Sequence, residues 1–370
     1  MSGIVRVMIL CSLVSATLSV VDLQESRLSA GYRKVLDEAY TRLNGWCLVQ
    51  QKPKIEDIQH SFAELNGVLV EHVQFLYQNN FGVSAGRHAI LCVQNRHRHT
   101  RSFLAQAWDS IKAWERIVPI KLRTPLPYLV LQAMFCYAML TGFSSSGTEC
   151  RDWISFGIGI LCSFDALLRP GEWCALTSGL IALPSTRLQG MDSRGLLTIK
   201  NGKNRRLFGR IQIGIVESPV VLAWLTWLVE NLPSDVPLMA GGTGKFRALF
   251  KKAVAALRLD ELDLVPSSLR AGGATYKFAV ESLDIGRLQY RGRWSSARTL
   301  QHYLQEAGAI LAMLRLEDQA LKRLELIVKS GSVFLKPPTD SWRFFFSRDA
   351  QLRSLWTSRT SNGQFLPRKR

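Results

Sequence analysis

Three residues in the second half of the sequence have side chains of types that can take part in chemistry. Arg270 precedes the small residues "AGGAT", Trp294 ends "GRW", and Tyr303 follows that tryptophan by nine positions. They offer a guanidinium, an indole N–H and a phenol hydroxyl. Each residue alone is compatible with ordinary packing. Together they raise the question of whether the three converge on one ligand.

Two further stretches contain charged residues in positions that need a partner. In "LLRPGEWCAL" (167–176), Arg169 lies between apolar segments, and burying an unpaired charge is costly. Glu172, three positions on, is the local candidate, so the spacing predicts an Arg–Glu pair. The stretch "KNGKNRR" (200–206) predicts a basic turn. Its cations are Lys200, Lys203, Arg205 and Arg206.

Two other short patterns are weaker. "GGTGKF" (241–246) fails as a phosphate loop because Met239 and Phe246 stand where glycine and a hydroxyl residue are required. "RHRHT" (96–100) has two alternate histidines, but no other histidine shares a metal-ligand spacing with them. We therefore expect no metal, and "RHRHT" predicts a solvated or phosphate-facing basic patch.

The elements that must position these residues are mainly helical, with a smaller β portion. Residues 28–116 repeat apolar positions at helical spacing and predict four or five helices. "VPIKLRTPLPY" (118–128) has three prolines and predicts a linker. Apolar helices follow near 127–142 and 151–168. "LLTIKNGKNRRLFGRIQIGI" (196–215) then predicts two strands around the turn "NGKN", after which helices resume.

Length and charge indicate a two-domain protein with a polyanionic partner. The 370 residues suffice for two cores, which we place at 28–117 and 118–310. They are flanked by an apolar segment at 1–27 and by a basic tail at 311–370. The formal net charge of +18 suits a polyanion, with a membrane surface as the competing partner.

The cysteines and the N-terminus favour different compartments. Seven cysteines, odd in number and without a C-x-x-C pair, fit reduced thiols in a nuclear or cytoplasmic protein. "MSGIVRVMILCSLVSATLSVVD" resembles a secretory signal instead, which leaves secretion or organelle targeting open.

The order of these motifs resembles the tyrosine recombinase (phage integrase) family. R-x-x-E at 169–172, a lysine in a β-turn, a second arginine, G-x-W and a tyrosine nine positions later follow in the family's order. "SSLRAGGAT…GRWSSARTLQHY" is especially similar to versions in eukaryotic mobile elements. The resemblance covers roughly 30–310. It implies a helical core-binding (SAM-like) domain at 28–117 and a mostly α catalytic domain with a small antiparallel sheet at 118–310.

The resemblance also implies roles for individual residues. Arg169 and Arg270 would grip the scissile phosphate, and Glu172 would orient the first of them. Trp294 would hydrogen-bond the phosphate through its indole N–H. Tyr303 would be the nucleophile.

Other implied positions include one departure from the family pattern. Lys203, or Lys200 if the turn register differs, would protonate the departing 5′ oxygen. Ser267 stands where most members have a histidine, and a hydroxyl is a poor proton acceptor near neutral pH. Contacts to the DNA backbone are expected from Lys121, Arg123, Lys200, Arg205, Arg206 and Arg293.

The implied function is site-specific recombination or integration through a 3′-phosphotyrosyl intermediate, without metal, cofactor or ATP. The implied partners are double-stranded DNA and further copies of the chain, as a tetramer on paired sites. A nuclear location is expected, or a cytoplasmic one in a prokaryote. Three alternatives remain: a type IB topoisomerase, a catalytically impaired DNA-binding protein that keeps the fold, and a secreted or membrane-surface basic protein.

Overall fold

The computed structural model describes residues 27–118, 123–184, 193–200, 202, 209, 211–230 and 232–336. The chain divides into two compact units, Met1–Lys121 and Leu122–Arg370. The division falls inside the proline-containing segment 118–128. The described residues are 69% helical and 5% strand. This confirms the predicted fold class, mainly α with a small antiparallel sheet.

Within residues 27–118, helices surround one apolar core. The helices are α1 Ala30–Val49, α2 Ile55–Ile58, α3 Phe62–Gln78, α4 Val83–Arg96 and α5 Ala105–Ile117, with a 3₁₀ turn at Arg98–Ser102. Ser29 begins α1 because its hydroxyl accepts the N–H of Tyr32, which satisfies one orphan donor of the first turn. Leu43, Leu65 and Ile90 have no exposed surface and anchor this core.

The second unit has more helices and the sheet. Its α-helices are α6 Tyr128–Ser144, α7 Gly147–Asp165, α8 Pro170–Cys174, α9 Pro219–Glu230, α10 Gly242–Ala256, α11 Ser268–Ala279, α12 Ile285–Gly292, α13 Ala297–Gln301, α14 Glu306–Leu314 and α15 Asp318–Ser330. Short 3₁₀ turns lie at Ser178–Leu180, Asp260–Leu262 and Ser332–Leu335. The strands are β1 Ile181–Ala182, β2 Gly195–Ile199 and β3 Gln212–Val216.

Helix α7 is the centre of the second unit. Its C-terminal two-thirds are buried without a break from Asp152 to Asp165, and it packs against α6, α9 and α11. The run "WISFGIGILCSF" has no polar face to offer water, so burial on all sides follows from the sequence. In the part of the chain that the structure describes, no helix has both the length and the apolar content needed to cross a bilayer.

The sheet contains the two antiparallel strands that the sequence predicts on either side of the basic stretch. The three strands are antiparallel in the order β1-β2-β3, and Ile199 pairs with Gln212. Most of the stretch between these two residues, including most of the predicted turn "NGKN", lies outside the described residues. Leu197, Ile199 and Val216 are buried on one face, and their burial sets this register because a one-residue slip would expose them all.

The segment after residue 310 is not a basic tail as far as residue 336. Ala312, Leu324 and Phe334 are buried in the core of the second unit. The indole N–H of Trp224 donates to the carbonyl of Phe334 at 2.8 Å, which fixes the segment to α9. The predicted boundary at 310 is therefore wrong, because apolar residues at helical spacing in α15 continue the core. Residues 1–26 and 337–370, including the signal-like stretch, lie outside the described residues.

Helix α11 is seated by two unusually close backbone approaches. A Cβ added to Gly272 would lie 2.2 Å from the carbonyl oxygen of Leu126, and one added to Gly273 would lie 2.1 Å from that of Phe164. Only glycine allows this contact, so "AGGAT" presses α11 against the end of α7. Further along α11, the buried Nζ of Lys277 lies 3.0 Å from Oδ1 of Asp165 on α7.

Candidate functional site

The local Arg169–Glu172 pair predicted from the sequence is present at the start of α8. Arg169 is the N-cap residue, and Pro170 occupies the first helical position, where its missing N–H costs nothing. One carboxylate oxygen of Glu172 accepts the backbone N–H of Arg169 at 2.9 Å. The other accepts Nη1 of Arg169 at 2.6 Å. Glu172 thus holds both the backbone and the side chain of Arg169.

Arg293 also binds Glu172, and the expectation that it contacts DNA from the surface is corrected. It is only 3% exposed, and its Nη2 lies 2.7 Å from Oε2 of Glu172. Arg293 caps α12 in the left-handed conformation, with φ of 57°, and its side chain is buried. Its guanidinium therefore positions Glu172 rather than facing a DNA backbone.

Arg270 is buried beside this pair and is held by main-chain carbonyls. Its Nη1 donates to the carbonyl of Leu167 at 2.6 Å, and Nη2 donates to the carbonyl of Gly292. The Leu167 carbonyl also accepts Nη2 of Arg293 at 3.3 Å. Leu167 has a left-handed φ of 52°, a strained choice for a leucine that aims its carbonyl at two guanidiniums.

The two aromatic candidates pack on the Arg270 guanidinium. Its Cζ lies 4.3 Å from the ring centre of Trp294 and 5.8 Å from that of Tyr303. The two ring centres are 5.0 Å apart. Trp294 is buried, whereas Tyr303 is half-buried at the rim. Thr275 on α11 fixes the tyrosine backbone by donating its hydroxyl to the Tyr303 carbonyl at 3.0 Å.

Two buried donors of the site have no hydrogen-bond partner within the described part of the chain. They are Nε of Arg270 and the indole Nε1 of Trp294. A buried donor without an acceptor costs about 1–3 kcal/mol, so a ligand that supplied acceptors to these two groups would be favoured. Both groups could bind an oxyanion.

The site has an excess of positive charge. It brings together the guanidiniums of Arg169, Arg270 and Arg293 and the carboxylate of Glu172. No carboxylate of the described residues forms an ion pair with Arg270. Burial, followed by the charges of Arg169 and Arg293, lowers the pKa of Arg270 to about 9, against the opposing effects of Glu172 and Tyr303. A bound anion would relieve this loss of basicity.

The pKa of Glu172 reflects the same excess of positive charge in the site. Burial by itself raises the pKa of this carboxyl. The charge of Arg293, the backbone N–H of Arg169 and the charges of Arg169 and Arg270 outweigh burial, and the pKa of Glu172 lies below its ordinary value. Glu172 therefore stays ionised between its arginines.

Ser267, the departure from the family pattern, lies at the N-terminal end of α11 and has its own partner. Arg123 donates Nη1 to Oγ of Ser267 at 2.5 Å. Ser267 is half-buried and Arg123 is exposed, so the pair lies at the rim of the unit.

The remaining expected residues are Lys200 and several that lie outside the described residues. Lys200 is exposed at the end of β2. The predicted lysine Lys203, together with Lys121, Arg205 and Arg206, lies outside the described residues. Among the residues that the structure describes, no group of three or more His, Cys, Asp or Glu side chains could hold a metal ion.

Sequence reasoning did not assign the parts of the site that depend on distant contacts. It did not place Arg293 against Glu172, 121 positions away, nor the shared carbonyl of Leu167. The arginine next to Trp294 was a visible signal, but nothing local indicated that it would be buried.

No protein-family model matches the sequence, and no curated protein matches it either.

Proposed function

We propose that this protein is a DNA strand-cleaving and rejoining enzyme of the tyrosine recombinase type, in which Tyr303 is the nucleophile. One observation carries the proposal: Arg169, Arg270 and Trp294 form a cationic, donor-rich cluster with the Tyr303 ring directly against it. A phosphodiester supplies the missing negative charge and the missing acceptors. The tyrosine supplies the nucleophile.

The chemistry follows from these residue types. An oxygen lone pair of the deprotonated Tyr303 forms a bond to phosphorus, and the P–O5′ bond breaks with its electron pair going to O5′. Arg169 and Arg270 neutralise the nonbridging oxygens in the transition state. Lys203 gives its proton to O5′. The 3′-phosphotyrosyl bond keeps the energy of the broken strand, so another 5′ hydroxyl reseals it without ATP.

The net charge of +18 gives the rest of the chain a role in the same function. Lysines and arginines of both units would contact backbone phosphates of double-stranded DNA, which supplies affinity that falls with rising salt. Exchange of strands between two duplexes needs several copies of the enzyme, so self-association on paired sites belongs to the proposal. A nuclear location follows if the protein acts on chromosomal DNA.

Covalent trapping tests the nucleophile. The full chain is incubated with a library of nicked duplexes of randomised sequence, in which cleavage releases a short strand and prevents resealing. A protein–DNA adduct that survives denaturation is expected from the wild type and not from Tyr303→Phe. Tyr290→Phe is the matched control because Tyr290 is an exposed tyrosine on α12. Undiminished trapping by Tyr303→Phe refutes the assignment.

A second candidate is a DNA-binding protein that has lost cleavage. The observation in its favour is Ser267: the position offers no imidazole, and its hydroxyl is engaged by Arg123. Retention of library DNA without any Tyr303-dependent adduct would support this candidate. Relaxation of a supercoiled plasmid by the protein, without any joining of two duplexes, would instead indicate a type IB topoisomerase.

A further inference from the structure

The segment that follows the inter-unit linker is attached to both halves of the candidate site. The carbonyl of Arg123 accepts Nε2 of Gln305, two residues after Tyr303, at 3.1 Å. The N–H of Leu126 donates to the carbonyl of Ser268 at 3.0 Å, at the first residue of α11. Arg123 is therefore held between the start of the Arg270 helix and the end of the tyrosine segment.

The guanidinium of Arg123 contacts the N-terminal end of α11. It donates to Ser267, and Ser267 precedes Arg270 by three positions. Residues three apart on a helix share a face, with Cβ atoms about 5–6 Å apart. The exposed Arg123 thus contacts the residue that lies one turn before the buried Arg270.

We infer that Arg123 and Ser267 act together as a phosphate-contacting pair at the position that the resembled family gives to a histidine. This inference rests on the proposed function. Arg123 adds a fourth guanidinium to those of Arg169, Arg270 and Arg293. It binds a nonbridging oxygen of the scissile phosphate, and Ser267 orients the Arg123 side chain for this contact. The pair replaces the hydrogen bond of an imidazole but not its basicity, because a guanidinium has no acceptor and stays charged.

The absence of a base at this position has a kinetic consequence. The proton of the attacking tyrosine must pass to solvent rather than to a neighbouring side chain. Because no side chain accepts that proton, the rate of adduct formation should keep rising with pH between about pH 6 and 8. A histidine at 267, with an ordinary pKa near 6.5, would make the rate level off above about pH 7.

The experiment measures the rate of adduct formation on the nicked library for Arg123→Ala, Arg123→Lys and the double variant Arg123→Ala with Ser267→His. We expect alanine to slow the reaction about tenfold and lysine to restore part of the rate. The double variant should regain activity with a flattened pH profile. Arg315→Ala is the control because Arg315 is an exposed arginine at the end of α14.

A second readout does not depend on activity. Inorganic phosphate should raise the thermal unfolding midpoint of the wild type and of Arg315→Ala more than that of Arg123→Ala. If the wild type forms adducts and Arg123→Ala matches it in rate and pH profile, the inference is overturned and the proposed function stands. If the wild type forms no adduct, the proposed function fails, and the phosphate shift alone decides whether Arg123 contacts an anion.

Discussion

Replacing Glu172 by glutamine tests whether one carboxylate holds the arginine cluster together. The side chain of Glu172 is 7% exposed, that of Arg293 is 4% exposed and that of Arg169 is 25% exposed. Removing one partner of a buried ion pair costs about 3–5 kcal/mol, because the remaining charges lose their compensation. Arg169 is partly solvated, so we expect about 3 kcal/mol, the lower end of this range. The amide keeps the shape of the side chain, so the loss is electrostatic.

Urea unfolding, followed by tryptophan fluorescence, measures this loss. With a slope of about 3 kcal/mol per molar urea, the midpoint should fall by about 1 M at an unchanged slope. Glu261→Gln, on the exposed 3₁₀ turn Asp260–Leu262, is the control and should change stability by less than about 0.5 kcal/mol. A loss below about 1 kcal/mol for Glu172→Gln would refute the view that Glu172 holds the cluster.

The same variant has a defined pH dependence. The pKa of Glu172 is lowered in the folded protein, so its contribution is complete above the unfolded pKa of about 4.3 and is lost as the pH falls through the lower, folded pKa. The difference in unfolding free energy between wild type and Glu172→Gln should therefore be constant from pH 7 to about 5 and shrink in stronger acid. A difference that grows on acidification would contradict this reasoning.

Two further predictions concern groups away from the charged cluster. Burial lowers the pKa of His72 to about 4, so the first unit should lose stability as the pH falls below about 6.5, by about 3 kcal/mol once His72 is fully protonated. The urea midpoint of His72→Phe should therefore fall less on acidification than that of the wild type. The control His60→Phe, at an exposed histidine, should behave like the wild type. Gly273→Ala should lower the free energy of unfolding by about 1–3 kcal/mol and abolish adduct formation, because the added Cβ meets the Phe164 carbonyl. The control Gly45→Ala in α1 should change neither, because a Cβ added there has no atom within 4 Å. Unchanged acid sensitivity in His72→Phe, or an active and stable Gly273→Ala, would contradict them.

Local patterns predicted the parts of the molecule that short-range physics decides. The Arg169–Glu172 pair follows from a three-residue spacing at a helix start, and α7 follows from an apolar run without a polar face. Both depend on neighbours within a few residues. The meeting of Arg270, Trp294 and Tyr303 was expected only from motif order, and the structure brings the three together.

The parts that were not predicted depend on distant partners or on the register of a sheet. Arg293 was assigned to the surface because a basic run normally faces water, but a left-handed turn and a distant carboxylate bury it. The register that pairs Ile199 with Gln212 depends on which residues of β3 lie opposite the buried residues of β2. The helix α15 is different, because Leu321 and Leu324 stand at helical spacing and the sequence therefore contained the signal for it.

The carbonyl of Leu167 receives hydrogen bonds from both Arg270 and Arg293. It belongs to the main chain, so no side-chain replacement deletes it, and a systematic alanine scan would pass over the contact that the two arginines share. A scan that scored Leu167 as important would assign the effect to its buried isobutyl group. Replacing the peptide link after residue 167 by an ester would weaken that oxygen as an acceptor, but it would also remove the N–H that Leu168 donates to the carbonyl of Ser163.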